Sequence, residues 1–274
     1  MIRLYLYNNY HAGDQVFTRP LYRALLASQK YEIWIGIHHN HRSIVEDLEE
    51  EGAHLVVSDY EDRLPSPQWD LRYDCPPTCL PITTWLGTYE DTLQHNWAHL
   101  VTVFDRQLSR YGLSHPPIPI RPVPMVDFRP LPSLPPLPSP CVYLDNSTTR
   151  SGQSHFVFDE RVLAETFPEC HFLCTAPPRH SARNLLDGSS LNLRELSLLS
   201  DSCLAILGKG SGPFCCTYTE VNRFKPRAMC GFRWEAFEAF WDYEGNPLKF
   251  LDSMEEVLQF VHQSLSPSPQ IAQA

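Results

Sequence analysis

The sequence carries no excess of basic residues. It has 22 Lys and Arg against 32 Asp and Glu, a formal net charge of −10, with a pI near 5.6. That balance argues against nucleic acid as a partner, because phosphate-backbone binding needs cationic side chains to displace counterions. It also leaves no polybasic anchor for a membrane surface. No apolar run approaches the roughly 18 residues that a bilayer-crossing helix requires. The opening MIRLYLYNNYHAGD lacks the charged start, long apolar core and small-residue cleavage site of an export signal, so a cytoplasmic protein is expected. There is no D-x-D pair to hold Mg²⁺ or Mn²⁺ on a diphosphate. There is also no G-x-x-x-x-G-K-[ST] phosphate loop. The nine cysteines are odd in number and scattered. They read as buried or free thiols rather than a disulfide framework.

What is present is a 274-residue chain, 43% hydrophobic, long enough for two modest domains. Residues 116–140 hold eleven of its 25 prolines. Proline at that density blocks helix and interior strand and favours extended backbone. We read this segment as a stiff linker rather than a surface loop or a ligand for a proline-binding module. It would separate an N-terminal domain, 1–115, from a C-terminal domain, 141–265, ahead of a frayed tail at 266–274. Both halves alternate strand and helix. The first predicts strands at Ile2–Tyr7, Tyr31–Ile37 and Ala53–Val57, with helices over Gln15–Ser28, Arg42–Glu51 and Glu90–Tyr111. Residues 58–88 read as irregular. The second half predicts strands at Cys141–Asp145, Cys170–Thr175, Leu204–Leu207 and Arg227–Cys230. Its helices fall at Phe158–Thr166, from an Asn192/Glu195 capping box to Leu199, and at Ser253–Leu265. The fold class is α/β: two Rossmann-like domains of parallel sheet facing a cleft.

Ligands in such sheets bind beyond the carboxyl ends of the strands, which selects a few loops. After the first strand come Asn9, His11 and Asp14. Asp14 reads either as the cap of the first helix or as a general base, with His11 beside it. After the second strand come His38, His39 and His41, which could bind a metal or an anionic substrate or else form a polar loop; Asn9, His38 and His39 are expected on the acceptor side. Adjacent histidines in one loop do not all converge. In the second half, Gly208-Lys209-Gly210-Ser211-Gly212-Pro213 joins a buried strand to a helix start. Such a turn makes an anion cradle from outward N–H groups, although a glycine turn also serves close packing. Ser147, Thr148 and Arg150, after the first strand of that half, are placed to assist it. A rival cluster, Cys75, Cys79, His95 and His99, approximates zinc spacing. Pro76 and Pro77 occupy the usual tight metal turn, and the histidines face away from the helix's apolar stripe, so zinc is not expected.

On these residues the chain resembles the GT-B glycosyltransferases, and among them the heptosyltransferase-like group. Gly13-Asp14-Gln15-Val16 looks like the group's opening Gly-Asp segment. The run Leu193–Cys203 ending at Gly208–Gly212 looks like its donor-binding helix, strand and phosphate loop. The resemblance implies Asp14 as catalytic base, with Ser211 and Gly212 as donor-phosphate contacts. It also implies a nucleotide-sugar as substrate rather than a bound cofactor, and a glycan, lipid-linked or protein acceptor. Gly210 stands where the group has an acid, Cys215 where it has a histidine, and Arg150 where it has a lysine. The implied activity is metal-independent, inverting sugar transfer, as in polysaccharide biosynthesis. The alternatives are an inactive nucleotide- or sugar-binding module and a sugar-nucleotide epimerase-like enzyme.

Overall fold

The strand runs predicted above are apolar at consecutive positions rather than alternate ones, the pattern of strands covered on both faces. In the computed structural model, residues 1–8, 12–59, 74–84, 97–114, 126–131, 133–148, 156–231, 246 and 248–266 are described, with the backbone alone at 97–100 and 103. The chain divides into two compact units, Met1–Arg129 with Ala236–Phe240, and Pro130–Glu235 with Trp241–Ala274. Each is built on its own all-parallel sheet.

The first unit comprises β1 (Ile2–Tyr7), α1 (Ala12–Ser28), β2 (Tyr31–His38), β3 (His54–Ser58), β4 (Leu80–Thr83) and α2 (Trp97–Ser109), in the sheet order β3-β2-β1-β4. β1 buries Leu4 through Tyr7 without a break. The helix expected over Arg42–Glu51 is instead two 3₁₀ segments, His39–Ile44 and Glu46–Glu51. Ser43, Ile44, Val45, Asp47 and Leu48 are all buried, and one face of an α-helix cannot cover five of six successive residues. Gly52 ends the second segment at φ 99°, the left-handed conformation glycine tolerates.

A charged network is enclosed in this unit. Arg19 and Asp47 are both fully buried and pair through two bonds of 2.8 and 2.9 Å. The Arg19 guanidinium also lies 4.2 Å over the Phe128 ring. Arg23 reaches Asp127 at 2.8 Å and Glu51 at 2.9 Å. Arg129 pairs with Glu50, and its N–H donates to Asp47 at 3.3 Å. Residues 126–129 of the proline-rich segment are thereby held against α1 and the 3₁₀ turns.

The second unit comprises β5 (Cys141–Leu144), α3 (Glu160–Thr166), β6 (His171–Cys174), β7 (Leu185–Asp187), α4 (Leu193–Ser200), β8 (Ala205–Gly208), α5 (Gly212–Cys215), β9 (Arg227–Cys230), β10 (Lys249–Leu251) and α6 (Met254–Leu265). The sheet runs β10-β9-β8-β5-β6-β7. Counted within the unit this is the order 3-2-1-4-5-6 of a dinucleotide-binding Rossmann sheet. The Asn192/Glu195 capping box of α4 is present, and Ser253 and Glu256 form another at α6. Val142, Leu144, Phe172, Leu207 and Ala228 from the strands pack with Val257, Phe260 and Val261 of α6 in one core cluster.

Among the described residues no helix is long and apolar enough to cross a membrane. The nine cysteines are free.

Candidate functional site

The second sheet changes winding direction between β5 and β8, which pair directly although β6 and β7 lie between them in sequence. Their carboxyl ends are therefore the switch point, at whose crevice open α/β sheets receive ligands. The residues following β5 and those following β8 meet there.

Asp145 is the centre of that meeting, and it is fully buried. Its Oδ1 accepts from the Ser147 N–H at 3.1 Å, the Ser147 hydroxyl at 2.6 Å and the Thr175 hydroxyl at 2.8 Å. Its Oδ2 accepts from the Ser211 hydroxyl. The Ser147 and Ser211 oxygens are 3.2 Å apart. Lys209 is buried, with Nζ donating to the Ser147 carbonyl at 3.2 Å and lying 5.7 Å from the Phe158 ring centre. Behind Asp145, Asn146 donates to Glu160 at 2.8 Å and accepts the Ala176 N–H at 2.8 Å, fixing the loop to α3.

Gly208 makes this assembly possible. A Cβ there would stand 2.6 Å from Asp145 Cβ and 2.9 Å from Phe214 Cδ2. The strand end thus packs directly on the acid, the close approach that only glycine permits. Ser211 caps α5, and Pro213 lies in its first turn. That helix is a single turn, Gly212–Cys215, so its dipole adds little.

Burial pushes the Asp145 carboxyl above the ordinary aspartate range, against the lowering effect of the Ser147, Ser211 and Thr175 hydroxyls and the Ser147 N–H. Burial likewise pushes the Lys209 ammonium down, with Asp145 opposing it. The raised carboxyl makes the acid less repulsive to an incoming anion than an exposed aspartate, whereas the downward push on Lys209 works against the cation and is opposed by Asp145. The folded carboxyl also binds its proton more tightly than the unfolded one. Stability contributed by this group is complete below the ordinary aspartate pKa and is lost as pH rises toward the raised value. Asp145→Asn cannot titrate and escapes that loss. Its stability relative to the parent protein should therefore climb as pH rises from ~4 towards 7. Urea unfolding of both proteins across that range checks this, and a difference that does not change with pH would count against it.

Of the residues expected from sequence, Ser147, Lys209, Gly210, Ser211 and Gly212 all lie at this crevice, while Thr148 is exposed. Arg150 lies outside the described residues, as do Asn9, His11 and His95. The side chain of His99 is likewise not described. Asp14 sits in the first turn of α1, half-buried. Because α1 begins at Ala12, Asp14 is two residues inside the helix and is not its cap. His38 is buried at the end of β2, where its Nδ1 accepts the Asn40 N–H at 3.2 Å. His39 is exposed beside Asp59, Nδ1 to Oδ1 3.1 Å. Cys79 packs with Tyr5 and Tyr7, with Cys75 against them. Burial pushes the Cys79 thiol up.

Sequence reasoning assigned no role to Asp145 or Thr175. The signal for Asp145 was its place immediately after the first strand of the second half. Its contact with Ser211, 66 residues along the chain, depends on the β5–β8 pairing, which no local pattern announces. No protein-family model matches the chain, and no curated protein matches it.

Proposed function

We propose that this chain is a glycosyltransferase of the GT-B type, with the second unit binding a nucleotide-sugar. The observation that carries the reading is Ser147, Lys209 and Ser211 gathered at the switch point of a 3-2-1-4-5-6 sheet. A diphosphate entering the crevice would draw Lys209 and the two hydroxyls from their internal partners to its oxygens. The ammonium and loop N–H groups would then stabilise charge on the leaving nucleotide, so this step needs no metal. Asp14 would take the proton of an acceptor hydroxyl as the new bond forms, and in-line attack would invert the anomeric centre.

Screening UDP-, GDP-, ADP- and CMP-sugars by thermal shift tests the donor reading. At least one should raise the melting temperature in a concentration-dependent way, and Lys209→Ala should reduce that rise. If none stabilises the protein, the donor reading fails.

Two features favour a second reading, a binding module without turnover. Cys215, at the position of the expected histidine, is buried, and Gly210 offers no acid. A stabilising nucleotide-sugar that is never consumed across an acceptor panel would select it.

A further inference from the structure

A second constellation lies at the carboxyl edge of the first unit's sheet. The parallel register pairs His38 with Ser58, and just beyond the two strand ends His39, the first residue of the 3₁₀ segment, lies beside Asp59. The result is two imidazoles and one carboxylate whose ligand atoms all lie within 4.8 Å of one another. We propose that His38, His39 and Asp59 form a binding site for a divalent transition-metal cation of the Zn²⁺ class.

The donor chemistry supports this. Imidazole is the commonest protein ligand for such ions, and a nitrogen–oxygen set suits Zn²⁺ and its neighbours rather than Mg²⁺ or Ca²⁺. The His38 ring is buried and fixed by the strand end. Its acceptance of the Asn40 N–H at 3.2 Å puts the lone pair of the neutral ring at Nδ1. A cation at Nδ1 would compete with the Asn40 N–H, and Asn40 is exposed, so water can take over its N–H. His39 Nδ1 and Asp59 Oδ1 lie 3.1 Å apart, already close to the spacing of two ligands on one ion. Metal–ligand bonds of about 2.0–2.2 Å set tetrahedral ligand atoms roughly 3.3–3.5 Å apart, so a set spread over as much as 4.8 Å must contract around the ion. His39 and Asp59 are surface side chains able to make that movement. Three protein ligands leave a coordination position open for an oxygen of a bound molecule. His41, its ring 5.7 Å from that of His38, is not among the three.

The inference does not depend on sugar transfer, since the readout is metal binding alone. Chelator-stripped protein titrated with Zn²⁺ and Co²⁺ should bind one equivalent of either. The Co²⁺ form should show d–d absorption without a sulfur-to-cobalt charge-transfer band. His39→Ala and Asp59→Ala should each weaken binding by at least about 10–100-fold, the loss produced even by residues one shell further out. Cys75→Ser and Cys79→Ser should not change it. Circular dichroism establishes that the surface variants remain folded. Absence of stoichiometric binding would overturn the proposal, as would binding that survives both substitutions or a sulfur charge-transfer band.

Discussion

Asp14→Asn is expected to bind the donor as the parent protein does and to lose transfer by roughly 10²–10⁴-fold, the contribution of a positioned general base. The substitution keeps the shape of the side chain and removes its basicity. Its structural cost is small and separable. An acid in the first turn of α1 interacts favourably with the helix dipole by about 0.3–1 kcal/mol, so the variant should remain folded and unfold only slightly earlier. Measuring donor affinity, single-turnover transfer and stability on the same preparation distinguishes the roles. A base gives lost turnover with preserved affinity. A residue serving only the helix gives a small stability loss and ordinary turnover, and that result would remove Asp14 from the chemistry.

Arg19→Ala should be the most destabilising single change in the first unit. The substitution leaves Asp47 buried without its bidentate partner, and breaking an enclosed ion pair from one side costs about 3–5 kcal/mol. Arg23, 3.7 Å from Asp47, and the Arg129 N–H compensate only in part. Arg19 also covers Phe128, so the docking of residues 126–129 should loosen with it. Replacing both partners by apolar residues, Arg19→Met with Asp47→Leu, should recover most of the loss, because well-packed hydrophobic side chains substitute for such pairs with little penalty. Hydrogen exchange of the α1 amides in increasing urea measures both effects within this unit. An Arg19→Ala protein with undiminished protection would show that the pair contributes no net stability.

The parts of the fold that local pattern could reveal are the central strands and the capped helices. β1, β2, β5, β6, β8 and β9 are each anchored by a run of buried apolar residues, and the α4 capping box is explicit in Asn192 and Glu195. The strands that escaped detection, β4, β7 and β10, are all at sheet edges. They are three or four residues long, and β4 contains Pro81, which an edge strand accommodates. At the candidate site the glycine turn and its serine and lysine were legible because strand, glycine and proline occur together. Asp145 was not, because its importance arises from burial and from partners at 175 and 211. The same holds for Asp59, which acquires its neighbours from the β2–β3 register rather than from its own sequence surroundings.

The distribution of thiols gives the protein an internal gauge of its own breathing. Eight cysteines are buried and Cys75 alone is partly open. Burial raises the Cys170 and Cys230 thiols to about 12 and carries Cys174 higher still. In the native state these sulfurs are protonated and sealed, so any alkylation of them records an opening event rather than surface reactivity. Seven of the eight buried cysteines belong to the second unit, in β5, β6, β9 and α5 and in the segments flanking β6, β8 and α5. The order in which they become modified would chart, strand by strand, how the crevice comes apart.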